Sequence, residues 1–331
     1  MDIPRTLYIC ISEMKRFLTK IVIFAIAAYL LAVGLDYMIS RGLANSAGHP
    51  HQAWREIRSG NYASDIVIMG TSRALEHYDP QIIDSITGLQ SYNLGMGGYS
   101  LNVELMKYRY YLHYNSHSKY LIFDVDQILL SIMKVPHQHQ SEQFLPLFYD
   151  KAIRDDLMHV GYSWMDASIP MSRYWGYQTH SKRGILECLG LKHYCDYPSY
   201  RGHMPDPDPW DVSRLLFSDS IPSHVDDEAK KMFMNFVRES QESGVQLIFV
   251  TSPVYYRYVE MSPDWNQYIA WYDSIAKAND IPYLNYMDHP ICKDSTMFNA
   301  GVHLTPTGTK VWSAILSNDL LNAKIFITPL H

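Results

Sequence analysis

Five short apolar runs, set apart by helix-like stretches, constrain this fold more than any other feature of the chain. They read DIVIMG (65–70), QSYNLG (90–95), KYLIFDVD (119–126), VQLIFVTSP (245–253) and IPYLNYMD (281–288). Runs this short and this continuously apolar suit strands buried on both faces. Helical patterns occupy 101–114, 226–244 with a glycine stop, and 264–280, and a last helix opens with Thr305 as cap and Pro306 in its first turn. Strands joined through helices run parallel. The chain from 62 to 331 is therefore expected to be an α/β domain, a three-layer α/β/α sandwich around a mainly parallel sheet. The alternation stops between about 130 and 225, which is too long for a loop and predicts a partly helical insertion over one end of the sheet.

A second constraint lies at the N-terminus. IVIFAIAAYLLAVGL (21–35) carries no charge, and apolar character persists through Tyr37, Met38 and Ile39. At about 1.5 Å per residue, positions 21–39 reach about 28 Å, close to the ~30 Å hydrocarbon core of a bilayer. Arg5, Lys15, Arg16 and Lys20 precede the run, and Asp36 and Arg41 follow it. This predicts a cytoplasmic segment at 1–20, a single transmembrane anchor at 21–39, a polar connector at 40–61, and a domain exported to the periplasm or cell exterior. A cleaved signal peptide is the competing reading, although the small-residue stretch LANSAG (43–48) comes late for a cleavage site.

Charge and cysteine usage narrow the partners. With 28 basic and 34 acidic residues the net charge is -6, and basic residues do not cluster beyond the N-terminus. That excludes nucleic acid as an expected partner. Cys10 falls on the cytoplasmic side, Cys188 and Cys195 either pair as a disulfide or stay separate thiols, and Cys292 is left over.

Functional residues should gather where strands end, because sites in open α/β sheets form beyond the carboxyl ends of the strands. Ser72, in GTSRALEHYDP, stands two residues past the first run. It reads either as an N-cap serine or as a nucleophile beside free backbone N–H groups. The likeness of GTSRA to the G-x-S-x-G nucleophile elbow is weak, since the fifth position is alanine and the serine follows the first strand. Two further stretches join it: the glycine turn YNLGMGGYS (92–100) after the second run, and FNAGVHLTPTG (298–308), which presents His303 before the last helix.

In this order the three stretches resemble the SGNH/GDSL hydrolase superfamily, over roughly 62–320 without the insertion. GTSRALEHYDP is most similar to its membrane-anchored envelope branch, which includes the D-alanylation protein of cell walls and other proteins associated with polysaccharide acyl transfer. The resemblance implies a flavodoxin-like fold, with Ser72 as nucleophile and His303 as general base. It also implies an oxyanion hole from the backbone N–H groups of Ser72 and Gly98. Two positions depart from the family pattern. Where the superfamily places an aspartate three residues before the histidine, this chain has Ala300, leaving Asn299, Asp294 or a backbone carbonyl to orient the ring. Where it places an oxyanion asparagine, this chain has Asp126, whose charge opposes a developing oxyanion.

Other residues have weaker assignments. Arg73 is expected either to contact an anionic or sugar group or to pair with Glu76 or Asp79, and Asn93 and Ser252 are assigned to the substrate-lining edge. His137 and His139 make an incomplete metal site, so no metal and no diffusible cofactor is expected. Tyr162, Trp164, Tyr174, Trp175 and Tyr177 serve sugar stacking or the insertion's own core. The expected activity is that of a serine esterase or O-acyltransferase acting on acyl esters, chiefly acetyl, of envelope or extracellular glycans or on a small ester, with a membrane partner in an acyl-transfer system. The alternative is a catalytically degenerate protein of the same fold that binds carbohydrate or assists envelope assembly.

Overall fold

The computed structural model describes residues 5–136, 141–195, 197–208, 211, 225–261, 265–299 and 301–326, with side chains from residue 12 onward. His137, His139 and Ala300 lie outside the described residues. The chain opens with α1 (Arg5–Asn45), one helix of 41 residues. It is long and apolar enough to cross a membrane, and every residue from 13 to 31 is exposed. A second helix, α2 (His51–Ser59), follows almost at once. The stretch 40–61, expected as a polar connector, is thus mostly helical: Leu43, Trp54 and Ile57 give it an apolar face, and all three are buried.

Five strands then form one sheet: β1 (Ile66–Gly70), β2 (Ser91–Asn93), β3 (Tyr120–Asp124), β4 (Gln246–Thr251) and β5 (Tyr283–Asn285). Their order is β2-β1-β3-β4-β5, and every neighbouring pair is parallel, with Ile68 beside Ile122 and Ile122 beside Ile248. Each of the five apolar runs in the sequence supplies one strand.

The helices between them are α3 (Ser72–His77), α4 (Pro80–Thr87) and α5 (Leu101–Tyr114) before the insertion. The insertion contains α6 (Lys151–His159), α7 (Trp164–Ser168) and α8 (Gln178–Cys188). After it come α9 (Asp227–Glu242), α10 (Tyr256–Glu260), α11 (Trp265–Ala278) and α12 (Pro306–Asn322). Thr305 caps α12 by accepting from the Gly308 N–H at 3.1 Å.

Because strand side chains alternate, the sheet feeds two cores. Val67, Met69, Leu121, Phe123, Leu247 and Phe249 join Tyr111 of α5 and Phe233 and Phe236 of α9. Ile66, Ile68, Tyr120, Ile122, Ile248 and Val250 join Ile83 of α4 and Trp312 and Leu316 of α12. Burial on both faces explains why the runs are apolar without alternation.

The insertion does more than cover one end of the sheet. Its first half clamps α1: Arg173 pairs with Asp36, Tyr174 Oη lies 2.5 Å from Ser40 Oγ, and Met171 N–H donates to Asp36 Oδ2 at 2.8 Å. Its second half returns along β2, where the Asn93 N–H donates to Arg201 O at 2.9 Å and the Met204 N–H to Leu75 O at 3.2 Å. Tyr162 and Tyr174 are buried, whereas Trp164 and Trp175 are exposed. Cys188, Cys195 and Cys292 are free thiols, so of the two options for the first pair the structure takes the unlinked one.

Candidate active site

The strand order places β1 between β2 and β3, so the chain winds outward in both directions from β1, the arrangement that in open α/β sheets puts sites beyond the carboxyl end of the strand. β1 ends at Gly70, whose φ of 137° favours glycine. A Cβ there would fall 2.7 Å from Asp124 O and 2.9 Å from Ala74 Cβ. This tight exit sets Ser72 as the first residue of α3, where its N–H has no acceptor within the helix.

Two distant segments close on that serine. After β2, Gly95 lets the turn lie directly on α3, since a Cβ at that position would come within 2.3 Å of Leu75 N. The same turn brings Gly97 against Ser72, its would-be Cβ lying 3.7 Å from Ser72 Cβ. Gly98, the residue expected there, sits one step further along at φ 77°, exposed and with nothing within 4 Å of its would-be Cβ. From the other side, Phe298 and Leu304 form a bridge, and the Asn299 N–H donates to His303 O at 3.1 Å. His303 Nε2 then reaches Ser72 Oγ at 2.8 Å across a separation of 231 residues.

The other ring nitrogen faces a carboxylate that the sequence pattern did not assign. Glu76 Oε2 lies 3.5 Å from His303 Nδ1, with side-chain exposures of 9% and 24% respectively. Glu76 follows Ser72 by one helical turn, so the two project to the same side of α3. Asp206, delivered by the insertion, is the third member: Glu76, Asp206 and His303 each offer an atom within 4.8 Å of the others'. Two carboxylates beside one imidazole can orient the ring and stabilise positive charge that develops on it. Three such groups also resemble a metal-ligand set, which His303 would join through Nδ1 while Nε2 stays on Ser72.

The remaining expected site residues reach the right edge of the sheet with their side chains turned inward. Arg73 is buried, donating to Ser252 O at 3.2 Å and Val125 O at 2.9 Å, and it lies 3.6 Å from Asp124 and 3.7 Å from Asp126. Its ion-pair partners are these aspartates rather than Glu76 or Asp79. Asn93 is buried beneath α3, donating to Ala74 O at 2.7 Å and Tyr78 O at 3.0 Å and accepting from the Gly95 N–H at 2.8 Å. Asp126 accepts from Thr71 Oγ1 at 2.5 Å and from the N–H groups of Ile128 and Leu129 at 2.9 and 3.2 Å. A carboxylate so occupied braces the turn after β3 and donates nothing to an oxyanion. Among the described residues neither polar atom of the buried Asn299 side chain has a hydrogen-bond partner, and Asp294 is spent on Thr296 at 3.0 and 2.6 Å. The group facing His303 Nδ1 is Glu76.

Ser252 belongs to a second, sealed trio. Its Oγ donates to Asp124 Oδ2 at 2.8 Å and lies 3.1 Å from His77 Nδ1. His77 Nε2 accepts the Leu304 N–H at 3.2 Å, which puts the ring proton on Nδ1. Burial, reinforced by Arg73, holds the His77 pKa well below the ordinary histidine value, so the ring stays neutral. Through this contact His77 fixes the backbone next to His303.

Behind the glycine turn lies a buried pair, Glu104 and Lys107. Lys107 Nζ donates to Gly95 O at 3.2 Å, and burial pulls its pKa down to about 8. Asp206, His77 and Lys107 have no assignment from the sequence, and Glu76 is expected there only as a partner for Arg73; the legible signal is its spacing from Ser72. The chain matches no protein-family model and no curated protein, so its functional reading rests on this geometry.

Proposed function

We propose that the chain is a membrane-anchored serine esterase or O-acyltransferase of SGNH type. Its substrates are acyl esters, chiefly acetyl, of envelope or extracellular glycans. In this reading the sheet and its two cores make a three-layer α/β/α domain. The N-terminus is cytoplasmic, and α1 crosses the bilayer once, leaving the domain periplasmic or extracellular. The observation that carries the reading is the 2.8 Å contact between Ser72 Oγ and His303 Nε2 at the carboxyl edge of the sheet.

The chemistry follows from the contacts. His303 Nε2 takes the Ser72 hydroxyl proton as Oγ attacks the acyl carbon, and Glu76, with Asp206 nearby, stabilises the imidazolium that forms. The carbonyl oxygen becomes an oxyanion held by backbone N–H groups of Ser72 and the Gly97–Gly98 turn. Collapse expels the sugar oxygen, which takes its proton from His303 Nε2. Water or a second hydroxyl then attacks the acyl-serine by the reverse sequence, giving hydrolysis or transfer.

The deciding experiment is ester hydrolysis by the full-length protein in detergent, with a chromogenic acetyl ester and an acetylated glycan. Wild type should turn over, and Ser72→Ala and His303→Ala should not. An inactive wild type, or activity untouched by either substitution, would favour the second reading, a binding or assembly protein that keeps the fold. The role of Asp126 as brace rather than oxyanion donor is the observation on that side.

A further inference from the structure

Among the described residues α1 is exposed at every position from 13 to 31, and the insertion meets it at Val33 and Asp36. There a cavity of about 140 Å³ is lined by Val33, Asp36, Arg154, Ile169, Pro170 and Arg173, among others. Val33 belongs to the uncharged run, so the tip of the insertion reaches down beside the apolar part of the helix rather than stopping at its polar end. The tip is held rigidly. The buried Arg173–Asp36 pair, Tyr149 Oη donating to Asp36 at 2.7 Å, and the Tyr37–Tyr149 edge contact at 6.0 Å lock it to α1.

Around this locked junction the surface is aromatic and apolar. Trp175 is 86% exposed, Trp164 64%, Met165 46% and Ile169 44%, with Tyr37 and Tyr149 beside them at 49% and 46%. Large side chains left open by a segment that buries its own Tyr162 and Tyr174 are not a packing remnant. Tryptophan and tyrosine, with a flat apolar body and one polar atom, are the residues that settle at the boundary between hydrocarbon and headgroups. Continuity with the exposed face of α1 fixes the partner, because whatever surrounds residues 13–31 also meets the ring of residues immediately above them.

We infer that residues 164–175 form a foot that seats in the lipid headgroup region of the bilayer α1 crosses, fixing the domain's height and tilt over the membrane. The inference rests on the reading of α1 as a membrane span. Rigid seating confines the Ser72 cleft to substrates carried at one distance from the surface.

The test uses full-length protein in phosphatidylcholine vesicles containing lipids brominated near the top of the acyl chain. α1 contains no tryptophan, so bromine can quench emission only if the folded domain dips into the lipid. Strong quenching is expected in wild type, and most of it should vanish in Trp164→Phe/Trp175→Phe, whose exposed positions leave folding intact. Unquenched emission from protein that survives an alkaline wash would overturn the foot and leave the anchor standing, as would quenching that the double substitution does not change. Protein washed off the vesicles would overturn the anchor and the foot together.

Discussion

The molecule contains two serine–histidine–carboxylate groupings side by side, and on the proposed reading their difference separates chemistry from scaffolding. In the outer one, Ser72 Oγ meets His303 Nε2 at 2.8 Å, and Glu76 stands 3.5 Å from the far side of the ring. In the inner one, Ser252 meets Asp124 and His77 at 2.8 and 3.1 Å, all three fully buried. Residue types and distances are nearly the same. What differs is the direction of the protons. His77 has committed its lone pair to the Leu304 N–H, and Ser252 donates to the Asp124 carboxylate, so the imidazole is not available to take its proton. His303 Nε2 has Ser72 Oγ as its partner in place of a backbone N–H, and the His303 side chain is 24% exposed. A nucleophile needs a vacant lone pair opposite it and a path for substrate, and the inner trio has neither.

The largest effect that can break this contrast is on the outer pair. Ser72→Ala or His303→Ala should lower kcat for ester hydrolysis by about 10⁴-fold or more, and the double variant should be no worse than either single one, because the two act as a unit. Residual turnover well above that level would mean that the pair is not the reacting centre. Next comes Glu76→Gln, which keeps size but removes charge. It should cost about 10²- to 10⁴-fold in kcat with KM little changed, since the carboxylate acts on the imidazolium and not on the substrate. A loss confined to KM would instead make Glu76 a substrate contact. The same assay with a chelator present should run unchanged, which separates the acid pair beside His303 from a metal site.

Ser252→Ala probes the inner trio and should show the opposite pattern. It leaves Asp124 and His77 each one hydrogen bond short in a sealed interior, which costs about 1–3 kcal/mol of stability. The thermal midpoint should fall while kcat per folded molecule stays within a few-fold of wild type. A folded Ser252→Ala protein without activity would show that the inner trio transmits to His303 through Leu304 more strongly than its geometry implies.

The legible part of this protein is the part dictated by period and order. Buried parallel strands must be short and continuously apolar, so all five were readable, and Thr305-Pro306 announced α12 by its cap. Ser72 and His303 were readable because strand ends and helix starts are where cleft residues have to sit. The direction of a side chain at a strand end is not written locally. Arg73, Asn93 and Ser252 occupy edge positions, yet Asp124, Asp126 and the carbonyls of α3 draw them inward. Glu76 was legible only as a partner for Arg73, because the group orienting His303 is expected three residues before it, where Ala300 stands, and Asp206 was not legible because a long insertion leaves no spacing to read. The clamp on α1 likewise depends on Arg173 meeting Asp36 across 137 residues.

The smallest effect concerns the charge state of the inner trio. Burial pushes the Asp124 carboxyl up to about 6, with Arg73 pulling the other way, whereas in an unfolded chain such a group titrates near ~3.9. Between about pH 4 and 6 the folded protein therefore holds a proton that the unfolded chain has already lost, and stability falls as pH rises through that window. The slope is at most about 1.4 kcal/mol per pH unit and flattens above the folded value. Asp124→Asn removes this titration and leaves the others in place. The difference in stability between wild type and Asp124→Asn, followed by thermal midpoint, should shift against wild type from pH 4 to 6 and then level off. A difference that stays constant would mean that Arg73 and Ser252 hold Asp124 ionised throughout. The inner trio would then hold Asp124 as the charged partner of Arg73, and its part in stability would lie in that ion pair and not in a buried proton.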